Sequence, residues 1–327
     1  MSGQATIDHR VLCDAADWFA LLRSGEAAPE DNQRWQHWLN QHPDHLRGWQ
    51  LVERIEQQFS AATGDHPQHT EATLQRVRQS RQQRRHVLKG LGALAVTLGL
   101  GWTSWRHTPL PQLAASWQAQ CRTGTGEIRQ WTLADGTRLW LNTDSAVNTV
   151  MDGPQRQIQL LHGEILIETG NDPRPMVVFT AGGELRPLGT RFSVRHGKTQ
   201  TLLSVFEGAV EITTLDQQRA VVQRLQQAHF SRNAIAPISS IRNTQQAWHK
   251  KRFIAEDIRL SDLIEELGRY QHGHIQVSPR VANLRVFGGF PLDRPEQAWS
   301  MLENALPIRI HQPLPWWTSI EPLPATP

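Results

Sequence analysis

Residues 84–105 read RRHVLKGLGALAVTLGLGWTSW and decide the organisation of the chain. From Gly90 to Trp105 there is no charged residue and no polar face, which favours a membrane-spanning helix over a buried core helix. The preceding residues 72–89 hold six Lys or Arg and no acid, a flank that retains the segment before it in the cytoplasm. The sequence therefore predicts a single transmembrane helix over residues 87–106 in the inner membrane. The N-terminus would be cytoplasmic and the C-terminal domains periplasmic.

The start of this stretch also carries an export motif. Arg84 and Arg85, followed by Leu88 and Lys89, resemble a twin-arginine signal, with Gln83 standing where Ser or Thr is usual. A cleaved signal peptide is the alternative interpretation. Because 83 residues precede the arginines and no A-x-A cleavage site follows the apolar run, we expect an uncleaved anchor.

Charge and cysteine content narrow the classes of function. Residues 1–71 carry eleven acids against five arginines, a net charge of −6, which has the wrong sign for binding a phosphate backbone. Cys13 and Cys121 are the only cysteines, so there is no disulfide framework and no thiol metal site. The chain has no nucleophile elbow, phosphate loop or H-E-x-x-H motif. We therefore predict no enzyme activity, no catalytic residue, no cofactor and no metal site.

Residues 1–62 are predicted to form a small all-α domain of three short helices. Its apolar residues recur at helical spacing and include Trp18, Trp35, Trp38 and Trp49. So small a core is marginal by itself, which fits a module that gains order by binding a partner. The alternative is that all four tryptophans belong to the core. Residues 63–86 are polar and basic and are predicted to be a linker.

Residues 107–240 change to a period of two and predict an all-β domain. An Asp135-Gly136 turn between two apolar runs predicts a hairpin. A weak repeat places Gly163 and Gly208 in similar x-Gly-x-hydrophobic-x-hydrophobic segments. This recurrence suggests stacked β layers, with a roll or solenoid as probable as a sandwich.

Residues 241–327 are predicted to form a separate α+β domain with the order β-α-β-β-α-β, a split βαβ arrangement. Few strands leave open sheet edges, and an open edge can pair with another chain. The candidates for such a contact are Val286, Phe287, Phe290, Trp316 and Trp317. The alternative is that these side chains are core residues or cover an edge.

A series of short motifs follows one order along the chain. They are Ala16-Asp17-Trp18, Trp35-x-x-Trp38-Leu39, His42-Pro43-x-His45, Thr125-Gly-Glu-Ile128, Leu133-Ala-Asp-Gly-Thr137, Leu141-Asn-Thr-Asp-Ser145, Leu161-x-Gly-Glu164, Asp172-Pro-Arg-Pro175, Leu188-Gly-Thr190-x-Phe192-x-Val194 and Val205-x-Glu-Gly-x-Val210. With them the chain resembles, over essentially its whole length, the FecR family of transmembrane anti-sigma regulators, and looks most similar to the ferric-citrate member. The C-terminal domain resembles the small secretin/TonB N-terminal-type domain that ends this family.

The resemblance implies a signalling function. The helical domain would bind an extracytoplasmic-function sigma factor through the module that holds the four tryptophans. The periplasmic part would sense the signalling domain of a TonB-dependent outer-membrane receptor for iron-chelate uptake, and periplasmic and site-2-type proteases would release the sigma-bound module. Direct contact with nucleic acid is not expected. Two alternatives remain open: a membrane-tethered DNA-binding regulator, and a periplasmic glycan-binding envelope protein.

Overall fold

A computed structural model describes residues 7–24, 27–63, 119–197 and 199–323. Contacts divide the chain into two compact units. The first combines the N-terminal helices with the segment from Arg252 onward, and the second holds the strands that precede Arg252. We describe each unit by itself.

Three helices begin the first unit: α1 (His9–Arg23), α2 (Pro29–Gln41) and α3 (Pro43–Thr63). The Asp8 side chain caps α1 by accepting a hydrogen bond from the backbone N–H of Arg10 at 2.7 Å. Helix α2 begins at Pro29 with Glu30 and Asp31 in its first turn, where the helix dipole favours negative charge. Asp31 also accepts a hydrogen bond from the backbone N–H of Ala28 at 3.0 Å. Local sequence thus sets where these helices begin.

The rest of the first unit is an α+β segment. Its elements are β14 (Arg252–Arg259), α4 (Leu260–Gly268), β15 (His274–Val277), β16 (Arg285–Pro291), α5 (Pro295–Ala305), β17 (Ile308–Leu314) and β18 (Trp317–Pro322). The predicted order β-α-β-β-α-β omits β18, and the strands form two sheets. One sheet pairs β14 with β16, while the other has the order β15-β18-β17, with β15 and β18 parallel. Of the two neighbouring tryptophans Trp316 and Trp317, Trp317 therefore lies in a strand, at the start of β18.

Thirteen strands form the second unit. They are β1 (Cys121–Thr123), β2 (Arg129–Thr132), β3 (Arg138–Leu141), β4 (Ser145–Val150), β5 (Arg156–Glu168), β6 (Met176–Thr180), β7 (Gly183–Pro187), β8 (Arg191–His196), β9 (Thr201–Glu207), β10 (Ala209–Thr214), β11 (Arg219–Gln223), β12 (Gln226–Phe230) and β13 (Ser239–Ser240). A 3-10 helix, Asn243–Lys250, follows them. The predicted hairpin is present as β2 and β3, and Gly136 in its turn has φ +79°.

These strands lie in two sheets that share the long strand β5. The first half of β5 pairs with β4 and β6, and its second half pairs with β3 and β8. The order of one sheet is β1-β4-β5-β6-β7-β10-β11, and that of the other is β2-β3-β5-β8-β9-β12-β13. Apolar side chains from both sheets form one buried cluster, including Leu141, Ile158, Phe192 and Ile212. The predicted all-β domain is thus a roll of two layers.

Most passages of the chain between the two sheets contain a residue with positive φ. Gly163 (φ +86°) lies where β5 changes sheet, and Gly208 (φ +76°) lies between β9 and β10. Gly126, Asp144, Gly189 and Leu225 occupy the other such passages. Glycine reaches positive φ without the steric penalty that a side chain brings. The repeat that the sequence shows at Gly163 and Gly208 therefore marks crossings between layers.

The predicted fold class needs a correction, because it includes a transmembrane helix. No helix among the described ranges is both long enough and apolar enough to cross a membrane. The longest of them, α3 with 21 residues, carries charged side chains along its length: Asp44, Arg47, Glu53, Arg54 and Glu56. The span expected at 87–106 lies outside the described residues, as do Arg84, Arg85, Leu88 and Lys89.

Candidate functional site

The four tryptophans of the helical module divide into two sets, although all four are half-buried. Trp18 lies on α1, Trp35 and Trp38 lie on α2, and Trp49 lies on α3. The structure therefore brings them together from three helices. Their surroundings differ, and this difference separates the side chains that hold the helices together from those that face a groove.

Trp35 and Trp49 belong to the packing between helices. Their ring centroids are 4.8 Å apart, and Trp49 also contacts Phe19, with the ring centroids 5.5 Å apart. Gly48 allows α3 to approach α1 closely, because a Cβ at this position would lie 3.2 Å from Val11 Cγ1. We assign Trp35 and Trp49 to the support of the module.

Trp38 has a mixed environment. Its ring stacks on His45, with centroids 4.4 Å apart and planes inclined by 11°. His45 Nδ1 lies 2.7 Å from the Trp38 carbonyl oxygen, so the imidazole also bonds to the end of α2. This contact explains the spacing of Trp35-x-x-Trp38 and His42-Pro43-x-His45 in the sequence. Trp38 also lines a groove on the module surface.

The groove lies between α1 and α2 and has a volume of about 260 Å³. Its lining consists of Asp14, Asp17, Trp18, Leu21 and Trp38. A second depression of about 590 Å³ shares both tryptophans and continues along α2 past Arg34 and His37. The Arg34 guanidinium lies 5.8 Å from the centroid of the Trp18 ring. We call the surface lined by Asp14, Asp17, Trp18, Leu21 and Trp38 the Trp18–Trp38 groove.

Sequence reasoning missed the two acids of this groove. Asp14 and Asp17 precede Trp18 and Leu21 at helical spacing, so the four side chains follow one stripe of α1. The opposite stripe is buried and consists of Leu12, Ala15, Ala16 and Phe19. The apolar pattern of the sequence identifies the buried stripe. The second stripe could have been found by asking which side chains lie one turn from Trp18.

The five C-terminal candidates differ in exposure. Val286 and Phe290 are buried on the inner face of the two-stranded sheet, while Phe287 is 68% exposed on the outer face. Ile254, on the paired strand β14, is also exposed. Trp316 and Trp317 are buried in one cluster with side chains of α1 and α3. Within this set, the structure leaves Phe287 as the accessible apolar side chain.

Three potential metal ligands lie together in the described part of the chain: His9, Cys13 and Glu321. Cys13 Sγ lies 3.6 Å from His9 Nε2 and donates a hydrogen bond to Ser319 Oγ at 3.6 Å. Burial raises the pKa of the Cys13 thiol to about 12. The thiol is therefore protonated in the metal-free protein, and a metal would have to displace its proton to bind. We assign no metal to the group.

Two family matches cover separate parts of the chain. Residues 14–55, which hold all four tryptophans, match a domain of unknown function, DUF4880. Residues 119–211, which span most of the two-sheet roll, match the FecR protein family. Residues 119–211 therefore form a FecR domain. No curated protein matches the chain.

Two solved structures resemble this chain. Both are crystal structures of a proposed anti-sigma factor from Parabacteroides distasonis ATCC 8503, at 1.65 Å and 2.50 Å resolution. The first is 20% identical, with a TM-score of 0.50, and the match covers 62% of this chain and 98% of that chain. The second is 20% identical, with a TM-score of 0.49, and covers 62% and 97%. At 20% identity, the first match shows that the matched part of this chain shares a fold with that structure.

The motif residues of the FecR domain form buried polar networks. Asp135 accepts hydrogen bonds from Thr137 Oγ1 at 2.7 Å and from Arg156 Nη1 at 2.8 Å. Arg156 in turn donates to the carbonyl oxygens of Asp172 and Arg174. These contacts connect the β2–β3 turn, the start of β5 and the Asp172-Pro-Arg-Pro175 segment. We assign these motif residues to the stability of the domain.

A second network lies where β3 passes to β4 and where β5 changes sheet. Asn142 Nδ2 donates to Glu164 Oε2 at 2.9 Å, and Glu164 N–H donates to Ser145 Oγ at 2.9 Å. All three residues are buried. Buried polar groups of this kind are tolerated when their hydrogen bonds are made. The network thus fixes two adjoining crossings of the FecR domain.

Proposed function

We propose that this protein is a FecR-type anti-sigma regulator whose helical module binds an extracytoplasmic-function sigma factor. The observation that carries the proposal is the presence in one chain of a FecR domain at 119–211 and the family-matched helical module at 14–55. The fold likeness to a proposed anti-sigma factor is consistent with this function. Trp18 and Trp38 supply partly exposed aromatic surface on the module, and aromatic side chains of this kind are enriched where proteins bind one another.

The second part of the proposal concerns the signal. The C-terminal α+β segment would contact the signalling domain of a TonB-dependent receptor that takes up an iron chelate. This contact would change the affinity of the helical module for the sigma factor. Phe287 and Ile254 support this assignment, because they place exposed apolar surface on the outer face of the β14–β16 sheet. Proteolysis between the module and the FecR domain, together with loss of the packing of Trp316 and Trp317 against α1 and α3, would then release the module with its sigma factor.

A co-purification experiment tests the first part. The full chain carries an affinity tag and is co-expressed in turn with each extracytoplasmic-function sigma factor of the source genome. We expect one sigma factor to be retained in a stoichiometric complex and the primary sigma factor to be absent from it. If no sigma factor is retained at any salt concentration that leaves the chain folded, the proposal is wrong.

The DNA-binding alternative predicts a different result in the same preparation. The tagged chain would retain duplex DNA, and retention would fall steeply with added salt. The acidic side chains of the groove disfavour this outcome. A gel-shift titration with the promoter region of the sigma-controlled genes distinguishes the two functions.

A further inference from the structure

The Trp18–Trp38 groove combines apolar walls with negative charge. Trp18, Leu21 and Trp38 supply the apolar surface, while Asp14 and Asp17 lie along the α1 side. The α1 residues recur at three and four positions, the spacing with which one helix packs against another. A groove with this geometry fits the apolar face of an amphipathic helix, a mode of recognition in which the helix presents anchors at the same spacing.

Asp14 gives the groove its chemical preference. Among the residues that the structure describes, this half-buried carboxylate has no hydrogen bond and no ion pair. Burial raises the pKa of Asp14, and the nearby Arg10 guanidinium only partly opposes this shift. A carboxylate that has lost part of its hydration without gaining a partner is unfavourable for the free protein. A cationic side chain from a binding partner would supply the missing contact.

Asp17 has different surroundings. It lies 3.4 Å from His311 Nε2, and both side chains are more than half exposed, at 57% and 60%. Such an exposed pair contributes little to stability. The aromatic walls already contact cationic or imidazole side chains of the module itself, Arg34 at Trp18 and His45 at Trp38, so they supply apolar surface. The preference for a cationic partner therefore rests on Asp14.

We infer that the Trp18–Trp38 groove receives an amphipathic helix of the sigma factor, which places an Arg or Lys side chain against Asp14 and an apolar side chain between the two tryptophans. The inference rests on the proposed function and adds to it the surface and the chemistry of the contact. On this inference, the partial desolvation of the Asp14 carboxylate is unfavourable in the free protein, and the contact with the cationic side chain offsets it in the complex.

The test uses the full chain and the sigma factor that it retains in the co-purification experiment. Asp14→Asn keeps the size of the side chain and removes its charge. We expect the affinity for sigma to fall about ten-fold, because a hydrogen-bonded charge pair is lost at the interface. The melting temperature of the free protein should stay the same or rise, since the substitution removes an unpaired carboxylate. A structural role for Asp14 predicts the opposite change in melting temperature.

Glu53→Gln is the matched control, because Glu53 is an exposed acid of α3 outside the groove. It should change the affinity less than two-fold. A charge exchange makes the test sharper: Asp14→Lys should abolish binding, and one Arg→Glu or Lys→Glu substitution on a surface helix of the sigma factor should restore it. Each basic residue on those helices is tested in turn.

The outcomes separate the inference from the proposed function. Equal affinity of the wild type and of Asp14→Asn for sigma would overturn the inference and leave the proposed function intact. A wild-type chain that retains no sigma factor would overturn both. Loss of binding in Asp14→Asn with a lowered melting temperature would also overturn the inference, because it would mark Asp14 as a structural residue.

Discussion

Arg156 and Asp135 form a buried ion pair in the FecR domain, with Arg156 Nη1 2.8 Å from Asp135 Oδ2 and side-chain exposures of 7% and 0%. The two residues lie at the start of β5 and in the β2–β3 turn, so the pair holds the hairpin against the strand shared by both sheets. A charge buried at this level is stable only while its partner remains.

Removing one member of this pair should destabilise the domain strongly. Asp135→Asn leaves the Arg156 guanidinium buried without its counter-charge, and we expect a loss of about 3–5 kcal/mol in the free energy of unfolding. Chemical denaturation followed by tryptophan fluorescence measures this loss. Asp216→Asn, a change at an exposed acid of the same domain, serves as control and should cost less than about 0.5 kcal/mol. A similar loss in both variants would contradict the role of the pair.

The same pair predicts a dependence of stability on pH. Burial would raise the pKa of Asp135, but hydrogen bonds from Arg156 and Thr137 outweigh it, and the pKa lies below its ordinary value. A lowered pKa in the folded state contributes stability that is complete above the unfolded value, about pH 4, and is lost as the pH falls below it. The hydrogen bond from Arg174 lowers the pKa of Asp172 to about 2, so this group titrates in the same acid range.

Scanning calorimetry between pH 5 and pH 2 measures this dependence. The melting temperature of the wild type should fall throughout this range. The difference between the wild type and Asp135→Asn should be largest at pH 5 and should narrow toward pH 2. A difference that stays constant over the range would show that Asp135 does not titrate with a lowered pKa.

Two glycines with similar backbone angles should respond differently to alanine. A Cβ on Gly163 would overlap Ser145 Oγ and the carbonyl oxygen of Asp144, whereas a Cβ on Gly136 would meet no atom within 4 Å. Both positions have positive φ, which costs alanine about 1–2 kcal/mol. Gly163→Ala should cost a further ~1–3 kcal/mol through overpacking. Equal losses would show that the crossing at Gly163 has room for a side chain.

The sequence predicted much of the FecR domain because its signals are local. The Asp135-Gly136 turn and the alternating apolar residues predict the β2–β3 hairpin, and the Gly163 and Gly208 repeat indicates stacked layers. The pairing of β5 with four neighbours could not be predicted, since it depends on contacts between residues far apart in sequence. For the same reason β18, which pairs with both β15 and β17, was missed.

The candidate sites show the same division. The spacing of Trp18, Trp35, Trp38 and Trp49 identified the helical module, but only the packing shows that Trp35 and Trp49 touch while Trp18 lines a groove. Residues on both faces of β16 were grouped as one set of candidates. Exposure separates them, because Phe287 points outward and Phe290 is buried.

Phe287 should affect signalling without affecting stability. Phe287→Ser removes an exposed apolar side chain, so the melting temperature should stay within about 2 °C of the wild type. The response of a sigma-dependent reporter to the iron chelate should be lost. Leu188→Ser is the control, because Leu188 is 70% exposed on the FecR domain. A normal response in the folded Phe287→Ser protein would place receptor contact elsewhere.

The two sets of tryptophans should separate by circular dichroism. Trp49→Ala removes a ring that contacts both Phe19 and Trp35, and we expect a loss of about 3–5 kcal/mol and melting of the three helices. Trp18→Ala removes a groove side chain, and the helical signal should remain. If both variants lose their helices, Trp18 is a core residue and cannot report on binding.

We propose that the helical module binds a sigma factor through the Trp18–Trp38 groove. Isothermal titration calorimetry of the full chain with the retained sigma factor, in the wild type and in Trp18→Ala, measures this contact. We predict a one-to-one complex for the wild type and an affinity at least about ten-fold lower for the helical Trp18→Ala protein, the loss typical of a central aromatic residue. An unchanged affinity in that protein, or no heat of binding in the wild type, would contradict the claim.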